Sequence, residues 1–177
     1  MPAAHPPENR LHLRTLPAPQ VYSATFTPIP VNEKFQINSE KATALSKIEN
    51  EENTLLNLIN QERQLYGLQP LQFNFLLDQA AYLHSFDMAM QNFVDHQGFD
   101  GSYVHVRVTR QGYEYAALGE TICANATAEE CFQLWKSNPD YSQVLLYEGF
   151  QDIGIGIVEH AESEHKIYYT AVFATPR

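Results

Sequence analysis

A chain of 177 residues, 44% of them hydrophobic, is long enough to form one domain with a buried core but too short for two of ordinary size. It holds 21 acidic and 11 basic side chains, and residues 50–177 carry 17 of the acidic but only six of the basic ones. Nucleic acids and anionic membranes are bound mainly through Lys and Arg, so this charge argues against both as partners. It favours either a cationic partner or simply a soluble acidic surface.

The N-terminal part of the chain is rich in proline, with seven of the ten prolines in the first 30 residues. Because each proline fixes φ and removes a backbone donor, we predict an extended tail over residues 1–45 and a folded domain over residues 46–177. Met1 is not followed by the apolar run that a secretory signal peptide requires, so no export signal is visible. No apolar run approaches the roughly 20 residues of a membrane-spanning helix, so no such segment is predicted.

Two helices are predicted at the start of the domain. The first begins near Ser46, carries apolar residues such as Leu55 and Ile59 at spacings of three and four, and ends at Gly67. The second runs from about residue 74 to residue 92. One stripe of it holds Leu77, Ala80, Ala81, His84 and Met88.

Short helices and a strand are predicted in the middle of the domain. Residues 102–110 fit a short helix, and residues 113–123 fit a strand that leads into a loop. Thr127 and Glu130 form a capping box that opens a further helix. The Asn-Pro pair at residues 138–139 ends this helix.

The C-terminal part is predicted to form a β-hairpin. Residues 150–157 and 167–174 have strand patterns and flank a polar loop at residues 159–165. Gly154 and Gly156 are expected to permit close packing against the first of these strands. The order of the elements predicts an α+β fold in which helices cover both faces of a small antiparallel sheet.

Nine sequence fragments follow one another in a characteristic order across residues 54–174. They are Leu55–Arg63, Gly67–Leu71, Ala80–His84 with Asp87–Met88, Asp95–His96, Asp100–Gly101, Gly112–Tyr113, Gly119–Ile122, Trp135 with Asn138–Pro139, and Ile153–Gly156. Each fragment is common alone, but together they resemble the CAP superfamily (SCP-like: cysteine-rich secretory proteins, antigen 5 and pathogenesis-related proteins). The resemblance is to its compact bacterial type.

The resemblance implies a three-layer α-β-α sandwich with a shallow cleft lined by histidines and acidic residues, in which some family members bind a divalent cation. His96 matches the first cleft histidine of the family, and Glu120 matches the glutamate that follows a glycine. The second histidine of the family stands in a Pro-Gly-His sequence, which reads Pro139-Asp140-Tyr141 in this chain. The resemblance therefore implies a ligand-binding cleft formed by His96, Glu120 and Tyr141.

The tyrosine weakens the case for a metal. Zinc takes a neutral imidazole nitrogen at about 2.0 Å, whereas a phenol with an ordinary pKa of about 10 is a poor neutral ligand. Longer family members often carry a second acidic residue where this chain has Ser137 or Asn138. His96 and Glu120 thus remain weak metal candidates. We expect weak or absent binding of divalent cations and no other cofactor.

Each candidate residue also has a structural interpretation. Glu120 stands among small and apolar neighbours and needs a hydrogen-bond donor, which His96 can supply in acid–base chemistry, beside a metal or merely to tie a loop to a strand. Tyr141 either donates its hydroxyl to Glu120 or packs as an aromatic residue. His84, on the apolar stripe, is a secondary candidate that is expected in the core or near the cleft with a backbone hydrogen bond.

The two cysteines, Cys123 and Cys131, lie eight residues apart. The secretion that is usual in the family favours a disulfide between them; otherwise both are small buried residues. Asn125-Ala-Thr127 is a glycosylation sequon, but Thr127 already serves as a helix cap. The polar loop at residues 159–165 contains several His and Glu side chains, and we expect opportunistic cation binding there at most.

The main functional hypothesis is a noncatalytic secreted or envelope-associated binding module. Its cleft would recognise a small ligand, a peptide or a protein surface. One alternative is a hydrolase in which His96 or Glu120 activates water on a weakly held cation, and another is a purely structural interaction protein. Because the sequence contains no Gly-x-Ser-x-Gly elbow, no His-Glu-x-x-His helix and no phosphate loop, enzymatic activity is the less favoured interpretation.

Overall fold

The computed structural model describes residues 39–124 and 127–177. In chain order the elements are α1 (Ser39–Leu65), β1 (Gln72–Phe73), α2 (Phe75–Gln91), α3 (Val104–Arg110), β2 (Tyr115–Ala124), α4 (Ala128–Ser137), α5 (Pro139–Leu145), β3 (Asp152–Glu159) and β4 (Ile167–Pro176). No helix in this part of the chain is both long enough and apolar enough to cross a lipid bilayer.

The strands form one four-stranded sheet in the order β1-β3-β4-β2. β4 runs antiparallel to both β2 and β3, in agreement with the predicted hairpin and sheet. The two-residue β1 departs from the prediction, because it pairs in parallel with the start of β3. The N–H of Gln72 donates to the carbonyl of Gln151, a contact about 80 residues away that no local sequence pattern signals.

Helices cover both faces of the sheet, which confirms the predicted three-layer α-β-α architecture. Alternate residues of β4 face different layers: Tyr169, Ala171 and Phe173 join a core cluster with α1 and α4, and Val172 and Ala174 join a cluster with α2 and α3. The first cluster includes Leu55, Ile59, Phe132 and Trp135, and the second includes Leu77, Ala80, Ala81 and Val108. The same alternation in β2 places even-numbered side chains on the face covered by α2 and α3.

Two glycines of β3 allow a very close approach of α2. A Cβ atom on Gly154 would lie 2.0 Å from the backbone nitrogen of Asp78, and one on Gly156 would lie 2.1 Å from that of Tyr82. Nonbonded atoms do not approach so closely, so only glycine permits this packing. The predicted role of the two glycines is confirmed. Their contact holds the helix that leads into the loop carrying His96.

The start of α1 differs from the prediction. The helix begins at Ser39, whereas apolar periodicity begins only near Ser46. Residues 42–47 are exposed, so this stretch of the helix buries no apolar face that a periodic pattern could reveal. Residues 39–45 of the predicted tail are therefore helical, and residues 1–38 of that tail lie outside the described residues.

The segment after α4 also differs from the prediction. The Asn-Pro pair ends α4 as expected, but it also begins α5, which the sequence analysis does not identify. The side-chain oxygen of Asn138 accepts a hydrogen bond from the N–H of Asp140, and Pro139 occupies the first helical position. A signal that ends one helix can thus start the next, and here it places Tyr141 on a helix rather than in a loop.

A half-buried carboxyl on α1 makes stability depend on pH. Burial raises the pKa of Glu52 to about 7, and the negative charges of Asp78 and Glu49 act in the same direction. Since this pKa is above the ordinary 4.5 of the unfolded chain, the protonated form stabilises the fold, and this stability is lost as pH rises from 4.5 to about 7.

We expect Glu52→Gln to raise the free energy of unfolding by about 1 kcal/mol at pH 8, a modest gain because solvent screens the half-buried charge. At pH 4 the substitution should change the free energy of unfolding little, because the carboxyl is then protonated in both states. Urea denaturation at the two pH values measures the difference. An equal effect at both would contradict the prediction.

Candidate functional site

A buried polar cluster forms around Glu120 of β2, whose side chain is only 3% exposed. Its Oε1 accepts a hydrogen bond from Nδ1 of His96 at 2.8 Å, and its Oε2 accepts one from Nη2 of Arg107 at 2.7 Å. His96 lies in the loop between α2 and α3, and Arg107 lies on α3. Three elements thus converge on one carboxylate, and both of its oxygens are occupied.

His96 is the exposed member of this cluster, with 41% of its side chain accessible. Since an ionised carboxylate can only accept, Nδ1 of His96 carries the proton, and Nε2 keeps a lone pair when the ring is neutral. The hydroxyl of Tyr141 on α5 lies 3.4 Å from this Nε2, and the two rings meet edge to face with centroids 5.9 Å apart. The hydroxyl of Tyr141 therefore faces the imidazole of His96.

Arg107 is the site residue that the sequence analysis does not identify. Besides the carboxylate, its guanidinium donates to the carbonyl of Ser102 at 2.6 Å and to that of His96 at 3.1 Å. It therefore balances a buried charge and also holds the backbone of the loop that carries His96. A signal for this role exists in the sequence: Arg107 stands three residues after Val104 and beside buried Val108, so a charged residue lies on the buried stripe of a short helix.

His84 lies behind the cluster and is completely buried. Its Nε2 donates to the carbonyl of Asp95 at 2.9 Å and lies 4.0 Å from Oε1 of Glu120, while its Nδ1 has no hydrogen-bond partner. Burial lowers the pKa of His84, which favours the neutral ring. In this tautomer Nε2 bears a proton, so the ring presents no lone pair towards Glu120.

Burial and charge set the protonation of the other two cleft residues. Burial acts to raise the pKa of Glu120, but the hydrogen bond from His96 and the charge of Arg107 outweigh it and hold the pKa below its ordinary value. Burial, together with the negative charges of Glu120 and Asp140, raises the pKa of the Tyr141 hydroxyl. At neutral pH the cluster therefore combines a carboxylate with a neutral phenol.

A cavity of about 470 Å³ lies beside the exposed part of the cluster. His96 and Tyr141 line it together with Cys123 of β2 and His165 of the hairpin loop. Glu120 lies behind His96 and does not line this cavity. A molecule in the cavity would therefore meet the imidazole edge and the phenol before it met the carboxylate.

The wall of this cavity is fixed by a disulfide. Cys123 at the end of β2 and Cys131 in the first turn of α4 are bonded, with Cα atoms 5.7 Å apart. Thr127 and Glu130 form the predicted capping box at the start of α4. Asn125 of the sequon lies outside the described residues.

The donor groups of the domain do not form a cluster suited to a metal ion. Over residues 39–124 and 127–177 no group of three or more His, Cys, Asp or Glu side chains is placed to hold one. This includes the acidic and histidine-rich loop at residues 159–165. In the cleft, the guanidinium of Arg107 lies 2.7 Å from the carboxylate of Glu120.

Comparison with known proteins assigns the family. The sequence model of the family described as "CAP: Cysteine-rich secretory protein family" matches residues 56–173. The chain belongs to the CAP family. Among curated proteins it is 32% identical over 118 residues to the uncharacterized protein YkwD of Bacillus subtilis (strain 168). That match covers 66% of this chain but 46% of YkwD, so the chain spans less than half the length of this CAP relative.

Solved structures share the CAP fold of this chain. An extracellular protein containing a SCP domain from Bacillus anthracis str. Ames matches with a TM-score of 0.64 and 24% identity, over 71% of this chain and 40% of that one. An outer surface protein from Borrelia burgdorferi matches with a TM-score of 0.67 and 14% identity, over 72% of this chain and 94% of that one. At these identities the likeness concerns the fold.

Proposed function

We propose that this CAP domain is a noncatalytic binding module that acts outside the cytoplasm and receives its ligand at the cleft of His96, Glu120 and Tyr141. The observation that carries the proposal is the pair of hydrogen bonds that the Glu120 carboxylate accepts from His96 and Arg107. With Arg107 on one oxygen and His96 on the other, the carboxylate is a structural anchor for the exposed imidazole. The cleft then offers His96 and Tyr141 as its recognition surface.

The charge balance supports weak or absent metal binding. A divalent cation at Glu120 would meet the positive guanidinium of Arg107, whose Nη2 lies 2.7 Å from the carboxylate. Nε2 of His96 has a neutral phenol, Tyr141, 3.4 Å away in place of a second imidazole. Zinc sites use three or four protein ligands, so this donor set does not fit a tight site.

The same geometry argues against hydrolysis. A general base needs contact with the substrate and a pKa near the working pH, whereas Glu120 is buried and has a lowered pKa. The raised pKa of Tyr141 makes its hydroxyl a poor nucleophile. These properties argue against Glu120 as the base and Tyr141 as the nucleophile of a hydrolase.

Two observations support an extracytoplasmic site of action. Two solved CAP-fold structures belong to proteins described as extracellular or outer-surface proteins. The Cys123–Cys131 disulfide is a bond that persists in oxidising compartments. Residues 1–38 would then serve as a spacer between the domain and an anchor or neighbouring domain.

Calorimetric titration with zinc, magnesium and calcium tests the proposal. We expect no saturable heat up to about millimolar metal. A screen of peptide and ester substrates should show no turnover, and activity that disappears in His96→Ala would overturn the noncatalytic assignment. For binding, His96→Ala should weaken capture of a cleft ligand, whereas His105→Ala, an exposed histidine on α3, should not.

A substitution that restores the family histidine tests why the metal site is weak. Tyr141→His would place a second imidazole opposite Nε2 of His96, while Nδ1 of His96 still donates to Glu120 in the way that carboxylates support zinc-bound histidines. We expect zinc to bind this variant at least about tenfold more tightly than the unsubstituted protein. Tyr141→Phe is the control and should show no gain. If Tyr141→His gives none either, Arg107 rather than Tyr141 keeps metal away.

A further inference from the structure

The outer edge of β2 carries backbone groups that point away from the sheet. At the hairpin, the N–H of His160 donates to the carbonyl of Lys166, so these two residues form a hydrogen-bonded pair. In antiparallel strands such pairs alternate with pairs that are not hydrogen-bonded to each other. Even-numbered residues of β4 therefore bond to β3, and odd-numbered residues bond to β2. In the observed register, Gly119 pairs with Phe173 and Thr121 pairs with Ala171.

The intervening residues of β2 consequently direct their N–H and C=O groups outward. These residues are Leu118, Glu120 and Ile122. One outward group is covered, because Nε1 of Trp135 donates to the carbonyl of Ile122 at 2.8 Å. For Leu118 and Glu120, no residue of the described ranges bonds to the outward backbone groups, and β2 has no strand neighbour other than β4. An unpaired strand edge is a template for another strand.

A groove follows this edge and contains the cleft. A cavity of about 290 Å³ is lined by residues 117–119 of β2 and by Asp140 and Val144 of α5. The cavity of about 470 Å³ described above is lined by residues 122–124 of the same strand. Glu120 lies between these two stretches, and the His96–Tyr141 contact lies beside it. The cleft thus lies between two separate cavities along β2, and the groove is this stretch of the strand edge together with both cavities.

We propose that this groove binds an extended peptide that adds to the edge of β2 as a further strand and carries a basic side chain beside Asp140. The inference rests on the proposed function and gives its cleft a ligand class. Main-chain bonds to Leu118 and Glu120 would supply affinity, and the two cavities would accept alternate side chains. Because the His96–Tyr141 contact is long, at 3.4 Å, a bound strand can displace it at low cost.

Charge favours a basic peptide over a second copy of this chain. The protein has a formal net charge of −10, so two copies that paired edge to edge would repel each other. α5 also flanks the groove, so a partner at this edge has to fit beside that helix. Asp140 is an acidic group beside the groove that a Lys or Arg side chain would complement.

Panning a phage-displayed library of random linear dodecapeptides on the full chain tests the proposal. We expect enriched clones with a basic residue whose affinity falls at least about tenfold in Leu118→Pro, which removes an outward N–H but no bond to β4. The matched variant Leu118→Val keeps the N–H and should change affinity less than about twofold. Absence of enriched clones, or equal binding by Leu118→Pro, would overturn the inference. Association of the chain with itself through this edge would do so as well.

Synthetic peptides from the enriched clones test strand addition on the unsubstituted protein, so the result does not depend on folding of the proline variant. In an added strand only alternate residues direct their N–H groups to β2. N-methylation at those positions should weaken binding at least about tenfold, and N-methylation at the intervening positions should have little effect. No alternation would overturn the proposal. Clones lost in His96→Ala but retained in Leu118→Pro would keep the proposed cleft function and reject the strand edge.

Discussion

Replacement of Gly156 by alanine is expected to lower the free energy of unfolding by about 3 kcal/mol or more. The added Cβ would lie 2.1 Å from the backbone nitrogen of Tyr82, and backbone atoms of α2 cannot move aside by rotating a side chain. The helix would have to shift away from β3. Overpacking of a core costs about 1–3 kcal/mol where side chains can adjust. A clash with backbone atoms is therefore expected to cost about 3 kcal/mol or more. Urea denaturation monitored by circular dichroism measures the loss.

Gly67→Ala serves as the control for this substitution. Gly67 has φ of 72°, but a Cβ atom there would meet nothing within 4 Å. The control therefore isolates the conformational cost of a left-handed residue, about 1 kcal/mol, from the cost of a clash. If both variants lose the same stability, the close approach of α2 to β3 does not require glycine.

Features encoded by neighbouring residues could be predicted from the sequence. The capping box of Thr127 and Glu130 appears at the start of α4 as expected. The alternation in β4 places its two sets of side chains in opposite core clusters. These predictions succeed because each depends on a few consecutive residues and on the periods of helices and strands.

Features that depend on contacts between distant segments could not be predicted. Strand β1 exists only because Gln72 bonds to the backbone near β3, and residues 42–47 of α1 bury no apolar stripe. The family resemblance identifies His96 and Glu120, but it does not identify Arg107, since the guanidinium reaches the carboxylate only after α3 folds against β2. For Tyr141 the sequence leaves a hydroxyl bond to Glu120 and aromatic packing both open, and in the structure its ring lies edge to face with His96.

This arrangement changes how the cleft is understood. From the sequence, the replacement of a family histidine by Tyr141 is the feature that weakens a metal site. In the structure, Arg107 is a second and independent obstacle, because it already supplies the positive charge that a buried carboxylate requires. Glu120 can therefore remain ionised without a metal, and the cleft can keep its shape as a binding surface.

Replacement of Arg107 by methionine is expected to lower the free energy of unfolding by about 3–5 kcal/mol at pH 7, since it leaves the buried charge of Glu120 without its cation. The carbonyls of Ser102 and His96 also lose their donor. The matched control is Arg110→Met on the same helix. Its ion pair with Asp100 is exposed to solvent, so the loss of stability should be much smaller than in Arg107→Met.

The pH dependence of the Arg107→Met variant separates loss of charge balance from loss of packing. In the unsubstituted protein the pKa of Glu120 lies below its ordinary 4.5, so its ionised form contributes stability above that value, and the contribution is lost as pH falls through the lowered pKa. Without Arg107, Glu120 loses a charge that lowers its pKa, so this pKa should rise and the stability contributed by the ionised form should shrink. We therefore expect a smaller stability difference at pH 4 than at pH 7. In the Arg107→Met background, Glu120→Gln should recover at least about 1 kcal/mol at pH 7. A pH-independent loss without recovery would mean that Arg107 acts through packing alone.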